Sequence, residues 1–127
     1  MFQIQKTFDL AVSHNLDLPY DSPCNRKHGH NLKITVYCRA TDEQVWKNNN
    51  MVVDFAHIKA AVHTGLDHRD LNGVLEKMWS STSPGPGPNP NPTSEFLAYW
   101  ICEHLVASCY RVDVQESDGN TATYIRD

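Results

Sequence analysis

The sequence lacks three features that mark whole classes of protein: a long apolar run, a cluster of basic residues and a C-x-x-C pair of cysteines. Charged residues interrupt every window of about 20 residues, the length that a membrane-spanning helix needs, so we expect no membrane insertion. The 11 Lys and Arg residues are scattered and outnumbered by 15 Asp and Glu. Nucleic-acid binding needs clustered positive charge, and a small-molecule ligand is therefore expected instead.

The N-terminus and the cysteines predict a cytosolic protein with reduced thiols. Residues 1–6 alternate like a strand and lack the charged-then-apolar order of a signal peptide. A chain of 127 residues with 40% hydrophobic content can bury about two-thirds of its unfolded surface without disulfides. We expect a single domain over residues 1–127. Its four cysteines are expected to be mostly reduced, partly buried thiols, and only Cys24 has neighbours in the sequence that suggest chemistry: Cys24, Cys38, Cys102 and Cys109.

Hydrophobic periodicity predicts two long strands in the first third of the chain. Residues 2–13 and 28–39 alternate apolar and polar side chains with a period of two, Lys6 being the one break. A loop rich in proline, asparagine and aspartate separates them, so the two strands are expected to pair antiparallel. A short apolar strand over residues 51–53 is predicted next, ending at Asp54.

Two helices and a hairpin are predicted after residue 54. Asp54 is placed to cap a helix whose core stripe is Phe55, Ile58, Val62 and Leu66. A short helix or turn is expected over 73–79 and an irregular loop over 80–90. Residues 91–95 should start a helix with Leu97, Trp100, Ile101 and Leu105 on its core face, and Ser117–Asn120 should turn a hairpin between strands 110–116 and 121–126. The expected order is β-β-α-α-β-β.

Three histidines of the predicted strand pair suggest a metal site. His28 and His30 share one face of an extended chain, although H-x-H by itself also occurs in ordinary strands. His14 ends the first strand on the core-facing parity, so antiparallel pairing can bring it beside the other two. Three imidazoles without a cysteine or carboxylate suit zinc and leave one coordination position free, which is typical of a catalytic site.

Four further residues are candidates for catalysis or binding. Cys24 precedes His28 by four positions, and a thiol near a dication is favoured as thiolate, so it is a candidate base or nucleophile. Asp67-His68 is either an acid-base pair or a capping turn. Glu116 is either a solvated strand end or a carboxylate that grips a two-donor, guanidine-like ring edge.

Six motifs in this order resemble the superfamily of 6-pyruvoyl-tetrahydropterin synthase and 6-carboxy-tetrahydropterin synthase. The resemblance spans nearly the whole chain and is far more specific than any one motif. The motifs are Ser13-His14 with Leu16, Cys24 to Asn31, Val53-Asp54-Phe55, Leu66 to Asn72, Asn91 to Glu95, and Glu116-Ser117.

The resemblance implies an α+β tunnelling fold, in which a four-stranded antiparallel sheet carries two helices on one face. Subunits then join their sheets into a barrel, and two trimers stack into a homohexamer with active sites at subunit interfaces. The implied cofactor is Zn²⁺ and the implied substrate is 7,8-dihydroneopterin triphosphate. The implied roles are zinc ligands (His14, His28, His30), catalytic thiol and its acid-base partners (Cys24, Asp67, His68), pterin anchor (Glu116) and ring-holding residues (Thr93, Ser94).

Three residues separate Cys24 from the H-G-H motif. This gap resembles the 6-carboxy branch, which feeds queuosine and 7-deazaguanine synthesis, whereas five residues resemble the 6-pyruvoyl branch. Ser94 departs from the pattern, since threonine is frequent at that position. Two rival interpretations are a non-catalytic pterin- or metal-binding relative, and a small domain with a closed four-ligand zinc site. No fourth ligand stands at matching spacing, because His57, His63 and His104 are interpreted as helix-surface or helix-packing residues.

Overall fold

The computed structural model describes residues 1–74 and 91–127, which are built around a five-stranded sheet with the spatial order β3-β1-β2-β4-β5. Neighbouring strands pair antiparallel, except that β3 adds two residues in parallel to the outer edge of β1. The strands are β1 (Phe2–His14), β2 (His28–Ala40), β3 (Arg69–Asp70), β4 (Cys109–Ser117) and β5 (Asn120–Ile125).

The predicted pairing of the two long strands is confirmed. They form a ladder from Phe2↔Ala40 to His14↔His28, which places the end of β1 beside the start of β2. Their period-two pattern produces this pairing, because the apolar positions of both strands then fall on one face. Leu10 and Ile34 on that face have no exposed surface.

The helices begin at capping side chains. Helix α1 (Asp42–Lys47) starts in a capping box formed by Thr41 and Gln44; α2 (Phe55–Leu66) is capped by Asp54, and α3 (Ser94–Trp100) by Thr93. A π-helical turn, Ile101–Leu105, continues α3. Pro23–Asn25 form one 3₁₀ turn in the loop before β2, and residues 71–74 are helical.

Helices α2 and α3 pack on the same face of the sheet, as predicted. Together with the π-helical turn they contribute to one buried cluster with β1, β2 and β4. From the helical elements the cluster includes Ile58, Val62, Leu66, Phe96, Leu97, Ala98, Ile101 and Cys102. All four cysteines are free thiols, and only Cys24 is exposed. The site residues therefore lie above a packed layer that needs no covalent cross-link.

Four details of the fold differ from the sequence predictions. The sheet has five strands because β3, too short to show a period, pairs with β1. Residues 51–53 do not form a strand, since only residues 52–53 bend and residue 51 is irregular; Val52 and Val53 are apolar because they pack against the core. Phe55 is 49% exposed, since the first residue of α2 lies beyond the edge of the core. Helix α1 was not predicted, because its six residues are too few to show a helical period.

The hairpin prediction is confirmed, with Gly119 at φ +83° between β4 and β5. Positive φ is accessible to glycine without a steric penalty, which explains the Asp-Gly turn. The irregular loop predicted over 80–90, and most of the short helix predicted over 73–79, lie outside the described residues. Across the two described ranges, we find no helix long and apolar enough to span a bilayer.

Candidate functional site

The three candidate ligands converge at one end of the β1–β2 ladder. His14 and His28 are directly opposite each other, and His30 lies on the same face two residues further along β2. Their ring centroids are 4.6 to 5.0 Å apart in edge-to-face orientation. One potential ligand atom from each side chain lies within 4.8 Å of the other two. The strand register that the sequence predicts therefore produces the predicted histidine cluster.

Two of these rings are oriented by backbone carbonyls. The Nδ1 of His14 lies 2.7 Å from the carbonyl oxygen of Pro92, and the Nδ1 of His28 lies 2.7 Å from that of Arg26. A carbonyl oxygen only accepts, so each Nδ1 carries the proton and each Nε2 keeps a free lone pair. Outer hydrogen bonds of this kind fix the tautomer and ring direction of metal-binding histidines. An all-nitrogen donor set in this arrangement fits zinc.

Burial lowers the pKa of His30 below its ordinary value. The neighbouring His14 and His28 lower the pKa further, while the carboxylate of Glu116 raises it in part. A lowered pKa favours the neutral imidazole, the form that can donate a lone pair to a cation. His30 is therefore favoured in the neutral form that a metal ligand needs.

A cavity of about 800 Å³ opens above the histidine cluster. Its walls come from the loop after β1, the start of α3 and the β4–β5 hairpin. The predicted site residues that line it are His14, His28, His30, Cys24, Thr93, Ser94 and Glu116. Seven of the nine predicted residues are thus brought to one pocket, which is large enough for a bicyclic ring with a side chain.

The thiol of Cys24 lies at this cavity on an exposed turn. Ser22 caps the turn by accepting from the Cys24 backbone N–H at 3.2 Å, and the Cys24 carbonyl accepts from Leu16 N–H at 2.7 Å. Arg26, two residues later, provides the carbonyl that orients His28. The short segment between Cys24 and His28 therefore connects the thiol directly to a candidate metal ligand.

Glu116 faces the cavity with one carboxylate oxygen already bound. The hydroxyl of Ser94 donates to its Oε1 at 2.8 Å, and Ser94 is buried. The Thr93 hydroxyl accepts from Phe96 N–H at 3.1 Å and so caps α3. Ser94 therefore acts on the carboxylate, while the hydroxyl of Thr93 serves the helix end.

Asp67 and His68 are the two predicted residues that do not line this cavity. Asp67 Oδ1 accepts from Ala11 N–H at 3.1 Å, and this hydrogen bond is the largest cause of its lowered pKa. Its Oδ2 lies 3.5 Å from both His63 Nδ1 and His68 Nε2. The His68 side chain is 81% exposed, and its backbone has φ +58°. The pair is therefore formed as predicted, but at the outer edge of β1.

Several cavity residues were missed by sequence reasoning. Leu16, Leu18 and Tyr20 line one side, and Asn120, Thr121 and Ala122 line another. The first three belong to an irregular loop and the others to a hairpin arm, and neither has a chemical signature in the sequence. Their position follows only from the folded path of the chain. The three other histidines lie as expected: His57 is exposed, the His63 ring contacts Phe8, and His104 stacks on Trp100.

Residues 3–127 match the sequence model of the 6-pyruvoyl tetrahydropterin synthase family. The chain belongs to this family. Among similar proteins, a candidate 6-carboxy-5,6,7,8-tetrahydropterin synthase of Pyrococcus abyssi is 28% identical over 82% of this chain and 73% of its own length. A second, of Pyrococcus horikoshii, is 37% identical over 53% of this chain and 40% of its own.

The fold is shared with solved members of the 6-pyruvoyl tetrahydropterin synthase family. The structure of Caenorhabditis elegans 6-pyruvoyl tetrahydropterin synthase matches with a TM-score of 0.71 and 24% identity, covering 99% of this chain and 96% of that one. The expected α+β tunnelling fold is thereby confirmed, with one short strand more than the predicted four.

Glu116→Gln is expected to weaken pterin binding. Because Ser94 donates to one oxygen of this side chain, the NH₂ group of the glutamine amide must face the amino group and ring N–H of the pterin, which are also donors. A buried donor without an acceptor costs about 1–3 kcal/mol, or roughly a 5- to 150-fold loss of affinity. Titration with a dihydropterin measures the effect, and Glu43→Gln on α1 is the matched control. Unchanged affinity in Glu116→Gln would rule out the anchor.

Proposed function

We propose that this chain, as a single domain over residues 1–127, is a zinc-dependent carbon-carbon lyase. It converts 7,8-dihydroneopterin triphosphate and one water molecule to 6-carboxy-5,6,7,8-tetrahydropterin, acetaldehyde and triphosphate, a step of queuosine and 7-deazaguanine biosynthesis. The observation that carries the proposal is the convergence of three imidazoles, the Cys24 thiol and the Glu116 carboxylate on one cavity. The similarity to the Pyrococcus proteins supports the same branch.

His14, His28 and His30 would hold the zinc ion through ring nitrogens, and the outer hydrogen bonds of His14 and His28 leave the Nε2 lone pairs of those two rings free. When bound, zinc supplies Lewis acidity that polarises the oxygens of the substrate side chain and acidifies the adjacent C–H and O–H bonds. An open position among three protein ligands is the arrangement that such chemistry needs. No redox cofactor is required.

Glu116 would orient the substrate, and Cys24 would move a proton. A carboxylate accepts two parallel hydrogen bonds from the amino group and ring N–H of a pterin, which fixes the ring in the plane of the carboxylate. Ser94 stabilises that orientation through its hydroxyl. With the ring held at Glu116, the side chain of the substrate extends toward the histidines. Cys24, on the cavity wall, is placed to act there as the general base.

Asp67 and His68 would complete the site from a neighbouring subunit. Both lie by Ala11 at the outer edge of β1, while Asn120 and Ala122 of the opposite edge strand, β5, line the cavity. Strand order makes β1 and β5 run in opposite directions, with the end of β1 and the start of β5 at the same end of the sheet. Antiparallel pairing of β5 with β1 of a second copy therefore brings that copy's Asp67-His68 pair beside the cavity.

Such edge pairing closes the sheets of several subunits into a barrel, which removes their open edges. We propose a homohexamer of two trimers, because the resemblance to the family implies that assembly. Asp67 would then stabilise the protonated form of His68 as the imidazole accepts or returns a proton on the side of the substrate opposite Cys24. The distance of 3.5 Å between Asp67 Oδ2 and His68 Nε2 can shorten to a hydrogen bond when substrate binds.

Product identification is the experiment that tests the proposed reaction. The three-residue gap between Cys24 and His28 removes roughly 7 Å of extended reach relative to a five-residue gap. In the 6-carboxy branch, which this gap resembles, the thiol would approach the substrate from a different place and abstract a different proton. Incubation with 7,8-dihydroneopterin triphosphate is expected to yield acetaldehyde and 6-carboxy-tetrahydropterin by mass spectrometry. Triphosphate release with 6-pyruvoyl-tetrahydropterin and no acetaldehyde would assign the 6-pyruvoyl branch instead. Binding without turnover would indicate a non-catalytic relative.

A further inference from the structure

Two asparagines of the sequence motifs have no role in the chemistry described so far, Asn72 and Asn91. The carboxamide of Asn72 makes two hydrogen bonds to the backbone of one residue, Asn15. Its Oδ1 accepts from Asn15 N–H at 2.8 Å, and its Nδ2 donates to the Asn15 carbonyl at 3.0 Å. A carboxamide has a C=O acceptor and an NH₂ donor. Here the two groups make the pair of hydrogen bonds that the backbone of a neighbouring strand would otherwise make with Asn15.

Asn91 makes the same contact two residues further along the chain. Its Oδ1 accepts from Asp17 N–H at 2.8 Å, and its Nδ2 donates to the Asp17 carbonyl at 3.2 Å. The two asparagines come from segments separated by the undescribed residues 75–90. They nevertheless bind alternate residues of the same loop in the same way, each through two hydrogen bonds. An isolated surface hydrogen bond would not show this repetition.

The intervening residues of this loop bind the turn that carries Cys24. Leu16 N–H donates to the Cys24 carbonyl at 2.7 Å, and Leu18 N–H donates to the Oδ1 of Asn25 at 3.0 Å. Segment 15–18 thus behaves like a strand with two hydrogen-bonded edges. One edge is held by the two asparagine carboxamides, and the other holds the Cys24 turn in place.

We propose that Asn72 and Asn91 are positioning residues, whose carboxamides clamp segment 15–18 and thereby fix the Cys24 turn at the wall of the histidine cavity. The proposal rests on the proposed catalytic role of Cys24. An irregular loop without a ladder partner would otherwise sample many conformations, because nothing would offset the backbone entropy lost when it is held in one. Because a misplacement of about 1 Å can cost on the order of 100-fold in rate, holding this loop matters for a proton transfer by the thiol.

The clamp is tested with Asn72→Ala, Asn91→Ala and the isosteric Asn91→Asp. The last variant keeps the acceptor but turns the donor into a carboxylate oxygen facing the Asp17 carbonyl. Asn48→Ala is the matched control, because its Nδ2 also bonds a backbone carbonyl, that of Met51, in the turn after α1. The first readout is amide hydrogen exchange without substrate at Leu16, which contacts neither clamp residue through its own hydrogen bond.

The clamp variants, but not Asn48→Ala, are expected to accelerate exchange at Leu16 by about fivefold or more. Without one of the clamp contacts, segment 15–18 should open more often. Exchange at Leu16 that equals wild type in all three clamp variants would overturn the proposal. This readout needs no turnover. If the wild-type chain does not act on the pterin, the proposed function fails while the clamp is still supported or overturned by exchange.

Turnover supplies the readout that a general loss of structure would not give. Each clamp variant is expected to lower kcat by on the order of 10-fold while zinc content stays at the wild-type level. In a Cys24→Ala background the same substitutions should change the residual rate by less than about twofold, because residues acting through the thiol are not additive with its loss. An equal fractional loss in both backgrounds would overturn the positioning role.

Discussion

Cys24→Ala is expected to fold, assemble and bind zinc like the wild-type protein while its turnover falls by on the order of 10²–10⁴, the range for a lost proton-transfer group. The thiol is exposed at the cavity wall, whereas the other three cysteines are buried in the core. Removing its sulfur therefore creates no internal void. The backbone contacts that hold the turn, from Ser22 and Leu16, do not involve the side chain.

Cys24→Ser is the companion variant, since it keeps the size of the side chain and replaces the thiol with a far weaker acid. Steady-state rates on the pterin triphosphate, with zinc content and oligomer mass measured on the same samples, separate a chemical loss from a structural one. Near-normal turnover in Cys24→Ala would exclude the catalytic role. A normal rate in the serine variant alone would instead assign the residue to substrate contact.

His28→Ala is expected to lose most of its zinc. With one of three nitrogen ligands removed, the two remaining imidazoles retain the metal only weakly. His28 is only partly buried, and its ring contacts the other two histidines and one carbonyl oxygen. Truncation therefore removes a ligand without opening the core. Metal analysis after dialysis should give close to one zinc per chain for wild type and far less than one for the variant.

His57→Ala is the matched control, because His57 is an exposed imidazole on α2. It should keep the wild-type zinc content. Full zinc occupancy in His28→Ala would show that the metal is bound elsewhere or by other atoms. Loss of zinc in the control would show that the procedure strips any histidine variant.

The histidine cluster was predictable from the sequence because the period of a strand determines which side chains share a face. Once residues 2–13 and 28–39 alternate with a period of two and are joined by one loop, His14 and His28 must approach each other on the core-facing side. The observed register pairs them directly. Glu116 and Ser94 converge because a hairpin and a helix start flank the same end of the sheet, which periodicity alone does not fix.

Short elements and edges could not be predicted in this way. Apolar residues at 51–53 fit a short strand and a loop packed on the core equally well. Only their tertiary contacts show that they form such a loop. The two-residue strand β3 places Asp67 and His68 at the sheet edge, away from the cavity of their own chain. In the proposed assembly those residues reach a cavity only through a second subunit, and no local pattern in one sequence specifies such a contact.

Turnover of 7,8-dihydroneopterin triphosphate by metal-free and zinc-restored protein is the most direct test of the central claim, that the three histidines and the thiol form one zinc-dependent pterin site. Chelator-treated protein is expected to retain its fold and to release no acetaldehyde. Addition of one zinc per chain should restore the wild-type rate, with no restoration in His28→Ala at the same zinc concentration. Undiminished acetaldehyde release by protein shown to be free of metal would contradict the account.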